Sequence, residues 1–109
     1  MHAQHECFLA AIAQRRQLTF LFVDNKTQRE RIIVGAPLDF GPLRGAHDIT
    51  ARYQLWDLSA KRPPFNVTAR AMDVRSIELA EETFDPSAII KWAFKPNSWS
   101  IVRDWGEFS

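Results

Sequence analysis

Ala51-Arg52-Tyr53-Gln54-Leu55-Trp56-Asp57-Leu58-Ser59 is the stretch on which the fold turns. It mixes aromatic, branched apolar and polar residues over a strand's length. Gly41, Pro42 and Gly45 precede it and Arg62-Pro63-Pro64 closes it, so it reads as a central β-strand. At period two, Tyr53 and Leu55 share one face, and Gln54, Trp56 and Leu58 the other. Apolar residues on both faces predict little solvent exposure on either side.

At 109 residues the chain has the length of one domain with one modest core. A hydrophobic content of 46%, with eight Phe and four Trp, supplies that core and argues against disorder. Apolar runs of only a few residues predict no membrane-spanning helix. No cationic segment followed by an apolar one opens the chain, so no secretion signal is expected. The single Cys7 forms no internal disulfide, which fits a reducing cytoplasm. A net charge of +1 says little about partners, but ten Arg stand against four Lys. The planar guanidinium suits phosphate and carboxylate in a way an ammonium does not. The alternative is that these arginines pair with the thirteen acids across the surface.

Working outward, residues 6–16 read as a helix with an apolar stripe of Phe8, Leu9, Ile12 and Ala13, placed to lid one end of a sheet. Arg15 and Arg16 at its end suit the helix dipole. Leu18-Thr19-Phe20-Leu21-Phe22-Val23 is a strand, with Leu18, Phe20 and Phe22 on one face. Asp24-Asn25-Lys26-Thr27 forms a turn, and residues 28–34 return as the second strand of a hairpin. Arg29, Arg31 and Ile33 share one face of that strand; the two arginines either clamp one anion or form a solvated edge. Gly35-Ala36-Pro37-Leu38 ends the hairpin, and residues 39–50 form the longest irregular stretch, where His47 and Asp48 lie together. Residues 65–71 and 74–80 are the fourth and fifth strands. Asp85 as N-cap and Pro86 at the first helical position start a helix over 86–94. The tail, 95–109, holds Trp99, Ile101, Val102, Trp105 and Phe108, and must pack on its own domain or on a second copy. One domain over 1–109 is expected, mainly β with flanking helices: residues 18–80 form a strongly bent five-stranded antiparallel barrel of SH3 or Sm type.

With those elements placed, the chain resembles a WYL domain, a small SH3/Sm-like barrel found mostly in bacterial regulators. The match runs over about residues 15–86. Arg15-Arg16-Gln17-Leu18-Thr19-Phe20-Leu21-Phe22 resembles the family opening, and Glu30-Arg31-Ile32-Ile33-Val34-Gly35-Ala36-Pro37-Leu38 its second strand. Tyr53-Gln54-Leu55 stands at the Trp-Tyr-Leu triplet and keeps only the Leu. Ala69-Arg70-Ala71-Met72-Asp73-Val74-Arg75-Ser76-Ile77-Glu78-Leu79 resembles the Phe-Arg-Leu-Asp-Arg-Ile segment and the strand after it, with Asp73 where a second Arg is expected. Glu82-Thr83-Phe84-Asp85-Pro86 resembles the exit. The resemblance implies a non-catalytic module, part of transcription regulation, that senses nucleic acid or a nucleotide-like anion in a basic groove. The groove residues it implies are Arg31, Tyr53 and Arg70; the residue pattern itself adds Arg29 beside Arg31 and Arg52 beside Tyr53.

Other chemistry is thin. His2, His5 and Cys7 bunch together with no second cluster, which is not the spacing of a structural zinc site. Four scattered glycines form no phosphate loop. No nucleophile motif accompanies His47-Asp48, so no catalysis, metal or cofactor is expected. Arginines interleaved with an aromatic are the remaining signal, suited to stacked bases and held phosphates. The competing expectation is a protein-interaction or oligomerisation module that uses Trp99, Trp105 and Phe108.

Overall fold

The computed structural model describes residues 2–42 and 49–109. The elements run α1 (His2–Gln14), β1 (Arg16–Val23), β2 (Glu30–Gly41), β3 (Arg52–Asp57), β4 (Asn66–Arg70), a 3-10 turn (Ala71–Asp73), β5 (Val74–Thr83) and α2 (Pro86–Ile89). A second 3-10 turn (Gly106–Phe108) closes the tail. The five strands form one sheet in the order β4-β3-β2-β1-β5, with every neighbour antiparallel.

The order of the strands forces the sheet to bend. β4 and β5 lie at opposite edges, yet only Ala71–Asp73 joins them. Five strands spaced at about 4.8 Å span roughly 19 Å if flat, whereas four Cα steps reach at most about 14 Å. The two edges must therefore curl towards each other at that corner. Among the described residues no ladder joins β4 to β5, so the sheet is bent but not closed.

Alternation decides what the bend encloses. Leu18, Phe20 and Phe22 of β1 face inward with Ile33, Tyr53, Leu55, Val67, Ala69 and Ile77, and all are buried. Each buried Leu, Ile, Val and Phe among them contributes about 1.5–3 kcal/mol. α1 caps this core through Phe8, Ala11 and Ile12. Ala13, expected in the stripe, is exposed instead, because the i, i+3, i+4 row that meets the sheet runs through Ala11. Cys7 sits half-buried on the same helix, and burial pushes its thiol up. The helix stops at Arg15, whose φ of 54° turns the chain into β1. Arg15 and Arg16 serve as ties more than as dipole partners: they donate to the carbonyls of Asp104 at 2.8 Å and Ala80 at 2.7 Å.

Several boundaries differ from the sequence expectation. β2 does not end at residue 34 but continues to Gly41, pairing with β3 across a register shift between Pro37 and Asp39. Proline lacks a ladder donor, and a bulge accommodates it within the strand. The irregular stretch is shorter for that reason, and His47 and Asp48 lie outside the described residues. The expected helix over 86–94 ends at Ile89. Asp85 caps it as expected, its carboxylate accepting from the Ser87 amide at 2.9 Å. The segment then unwinds because Ile90, Trp92 and Phe94 are drawn to different partners: the core, Trp56 and Trp99.

The tail packs on its own domain. Trp105 is 3% exposed; its indole Nε1 donates to the Ile12 carbonyl at 2.8 Å, and Phe84 meets the ring edge-on. Trp99 Nε1 donates to the Phe108 carbonyl at 2.7 Å. Arg103 is buried between the rings of Trp99 and Trp105, at 4.2 and 4.4 Å from their centroids. Its guanidinium donates to the Leu38 and Ile101 carbonyls and faces Asp39 at 3.4 Å. A Cβ on Gly41 would lie 2.5 Å from Ser100 Oγ, so any larger residue there would force Ser100 to move. Of the three rings expected to meet a partner, Trp105 is core, and Trp99 and Phe108 are half-buried against the same chain. Among the described residues no helix is long and apolar enough to cross a membrane.

Candidate functional site

Among the described residues β4 pairs only with β3, and a cleft of about 340 Å³ opens between it and the β1–β2 turn. Four cationic side chains (Lys26, Arg31, Arg52 and Arg70) and one carboxylate (Asp24) line it, with Phe22, Val67 and Pro64 as apolar wall. Asn25, Asn66 and Thr68 add neutral hydrogen-bonding groups.

The register explains the convergence. Arg52 and Arg70 are Cα partners on adjacent strands, both on the outward face that Asn66 and Thr68 share. Like charges placed opposite on a sheet are unfavourable unless an anion sits near them. Arg31 reaches the cleft by another route. It stands on the inward face of β2 with Ile33, but at the open end of the sheet, where its guanidinium lies 5.5 Å from the Phe22 ring centroid. Asp24 at 3.1 Å and Asp57 at 3.7 Å hold it there. Arg70 Nε pairs with Asp73 Oδ2 at 2.9 Å, and its Nη2 reaches Asn25 Oδ1 at 3.5 Å across the cleft mouth. Each of these two guanidiniums is thus oriented by carboxylates and still lines the cavity.

Three of the five expected residues are brought together: Arg31, Arg52 and Arg70. Arg29 is exposed near the turn and does not line the cleft. Tyr53 does not line the cleft either. It is 2% exposed on the inward face, packed among Phe8, Phe20 and Phe40, with its hydroxyl 2.9 Å from His5 Nδ1. Burial pushes its phenol up, as expected of a core tyrosine. His5 is accordingly a core-facing partner of Tyr53. Sequence reading missed Lys26, Asn66 and Thr68, although alternation along β4 already set the last two beside Arg70.

Asp24 is held below the ordinary aspartate value, first by the Lys26 amide that donates to it at 2.8 Å and then by Arg31. Its folded value is depressed, so its contribution is present above the ordinary carboxylate range and is lost as pH falls through the folded value. A carboxyl-carbon NMR titration should show Asp24 protonating at lower pH than a free aspartate, and the Arg31 guanidinium resonance should move with it. An Arg31 signal that ignores the Asp24 titration would refute the pairing.

Arg70→Ala separates anion binding from stability. The Arg70–Asp73 pair is partly exposed, and such pairs contribute about 0.2–1 kcal/mol. A thermal melt of Arg70→Ala should therefore move by only a few degrees, while an anion in the cleft should lose about 1.5–3 kcal/mol of affinity. A collapse of the melting temperature would make Arg70 a structural residue.

No family model matches this chain, and neither a curated protein nor a solved structure matches it significantly.

Proposed function

We propose that this domain is a non-catalytic regulatory module that holds a nucleic acid or a nucleotide-like anion in the cleft between β4 and the β1–β2 turn. The observation that carries the reading is the convergence of Lys26, Arg31, Arg52 and Arg70 on one cavity. Phosphate is the anion that guanidinium forks suit, bidentate and charge-assisted, and the cavity is within the usual range for small-ligand sites. On this reading the bent sheet is an SH3/Sm-like barrel left open at the β4 edge, and the domain is a divergent WYL-like member acting in the cytoplasm. Tyr53 takes no part in binding; its place among the ligand contacts falls to the polar face of β4.

The test is a titration of the purified domain with fluorescently labelled short single-stranded DNA and RNA, read by polarisation. Binding should weaken steeply as salt rises, because each neutralised phosphate releases counterions. Replacing Arg52 and Arg70 together should abolish it without unfolding the domain. Absence of binding at about 50 mM salt, where such contacts are strongest, would defeat the proposal.

A further inference from the structure

Beyond the basic cleft, the same strand borders a second hollow of different chemistry. It has a volume of about 330 Å³ and shares Asn66, Val67 and Thr68 with the cleft. Its far wall is Trp92 and Trp99, with Leu38, Leu55 and Gln54 as floor. Among the described residues no charged side chain lines it. A third hollow, of about 470 Å³, adjoins it through Gln54, Trp92 and Trp99. The two indoles therefore stand where these hollows meet.

Trp92 is the most informative residue there. It is 46% exposed, although an indole gains from burial, and it lies beside the stacked pair Trp56–Phe65, its ring centroid 6.1 Å from that of Trp56. A row of three rings thus ends in a half-exposed indole, a surface suited to stacking. Trp99 is held by Arg103 over its ring and by its bond to the Phe108 carbonyl. Stacking on such rings requires only a planar π-system. Gln54, Asn66 and Thr68 supply neutral donors and acceptors for the edge of a heteroaromatic ring.

We infer that the ligand is a phosphate linked to a planar heteroaromatic ring, its phosphate in the arginine cleft and its ring in the Trp92/Trp99 hollow on the other side of Asn66–Thr68. This rests on the reading of the cleft as an anion site and adds a second half to it. The C-terminal segment then contributes to recognition: it carries the ring-binding wall while β2, β3 and β4 carry the charge. Charge complementarity places the phosphate and leaves the uncharged hollow for the ring. The shared strand makes the two hollows neighbours.

Calorimetric titration at low salt with four probes decides the matter: ADP, inorganic pyrophosphate, a tetradeoxyadenylate, and its abasic tetramer. At least one ring-bearing probe should bind about fivefold or more tighter than its ring-free counterpart, the low end of base–aromatic stacking. Trp92→Ala should remove that advantage and leave pyrophosphate binding unchanged, which a merely unfolded variant would not do. If Trp92→Ala lowers the melting temperature sharply, Trp92→Leu keeps an apolar cover over Trp56 while lacking a ring, and should give the same loss. ADP leading pyrophosphate identifies a mononucleotide as the source; an advantage confined to the oligomer identifies a strand. Ring-bearing and ring-free probes binding equally, with no effect of either Trp92 variant, would overturn the ring subsite and leave the anion cleft standing. No binding by any probe would overturn both.

Discussion

Asp39→Ala is expected to cost about 3–5 kcal/mol of stability, the range for removing one partner of a buried ion pair. Asp39 accepts from the Ser100 amide at 2.9 Å and the Ile101 amide at 3.0 Å, and it faces Arg103 at 3.4 Å. Deleting the carboxylate strands a guanidinium whose side chain has no exposed surface. Burial pushes Arg103 down to about 10, against the opposing pull of Asp39, so it still enters the core as a cation at neutral pH. Chemical denaturation measures the loss, and the melting temperature should fall by more than about 10 °C for a domain of this size. The double variant Asp39→Ala/Arg103→Met should recover part of it, because an apolar replacement of a whole buried pair is often close to neutral. A loss under about 1 kcal/mol for Asp39→Ala would mean that the tail does not depend on this pair for its docking. Deleting residues 99–109 should unfold the domain for the same reason, since Trp105 and Arg103 leave with it.

The second large effect is at the centre of the core. Tyr53→Ala should cost about 3–5 kcal/mol, as for other large buried aromatics, because four rings close around it: His5, Phe8, Phe20 and Phe40. Tyr53→Phe keeps the rings in contact and removes only the hydroxyl facing His5. It should cost about 0.5–1.5 kcal/mol, the net contribution of one hydrogen bond. The informative measurement is binding by the Tyr53→Phe protein. Anion affinity should be unchanged, since Tyr53 does not line the cleft. A marked loss of affinity with a normal melt would return Tyr53 to the site.

These two residues show where sequence reading works and where it stops. Strand faces are a local property: side chains alternate at period two whatever surrounds them, so Tyr53 with Leu55, and Leu18 with Phe20 and Phe22, were legible along the chain. The Asp85 cap was legible for the same reason, being a contact between residues two apart. Which face became the interior was not a local matter. Tyr53 could have stood at a groove as readily as in a core, and the three aromatics and the histidine around it come from α1, β1 and β2. The continuation of β2 past Pro37 was hidden too, because a bulge is permitted only by the partner strand it pairs with.

The chain by itself determined five strands, an opening helix, a fourth strand ending at Arg70 and an aromatic tail that had to pack somewhere. Only the tertiary structure decided that the tail covers its own domain, pinned by a buried Asp39–Arg103 pair 64 residues apart, and that Lys26, Arg31, Arg52 and Arg70 meet. The physical reason is the same in both cases. Alternation and capping act between neighbours in sequence, whereas the cost of an unpaired buried charge and the bend imposed by the short β4–β5 link act between residues that only the fold makes neighbours.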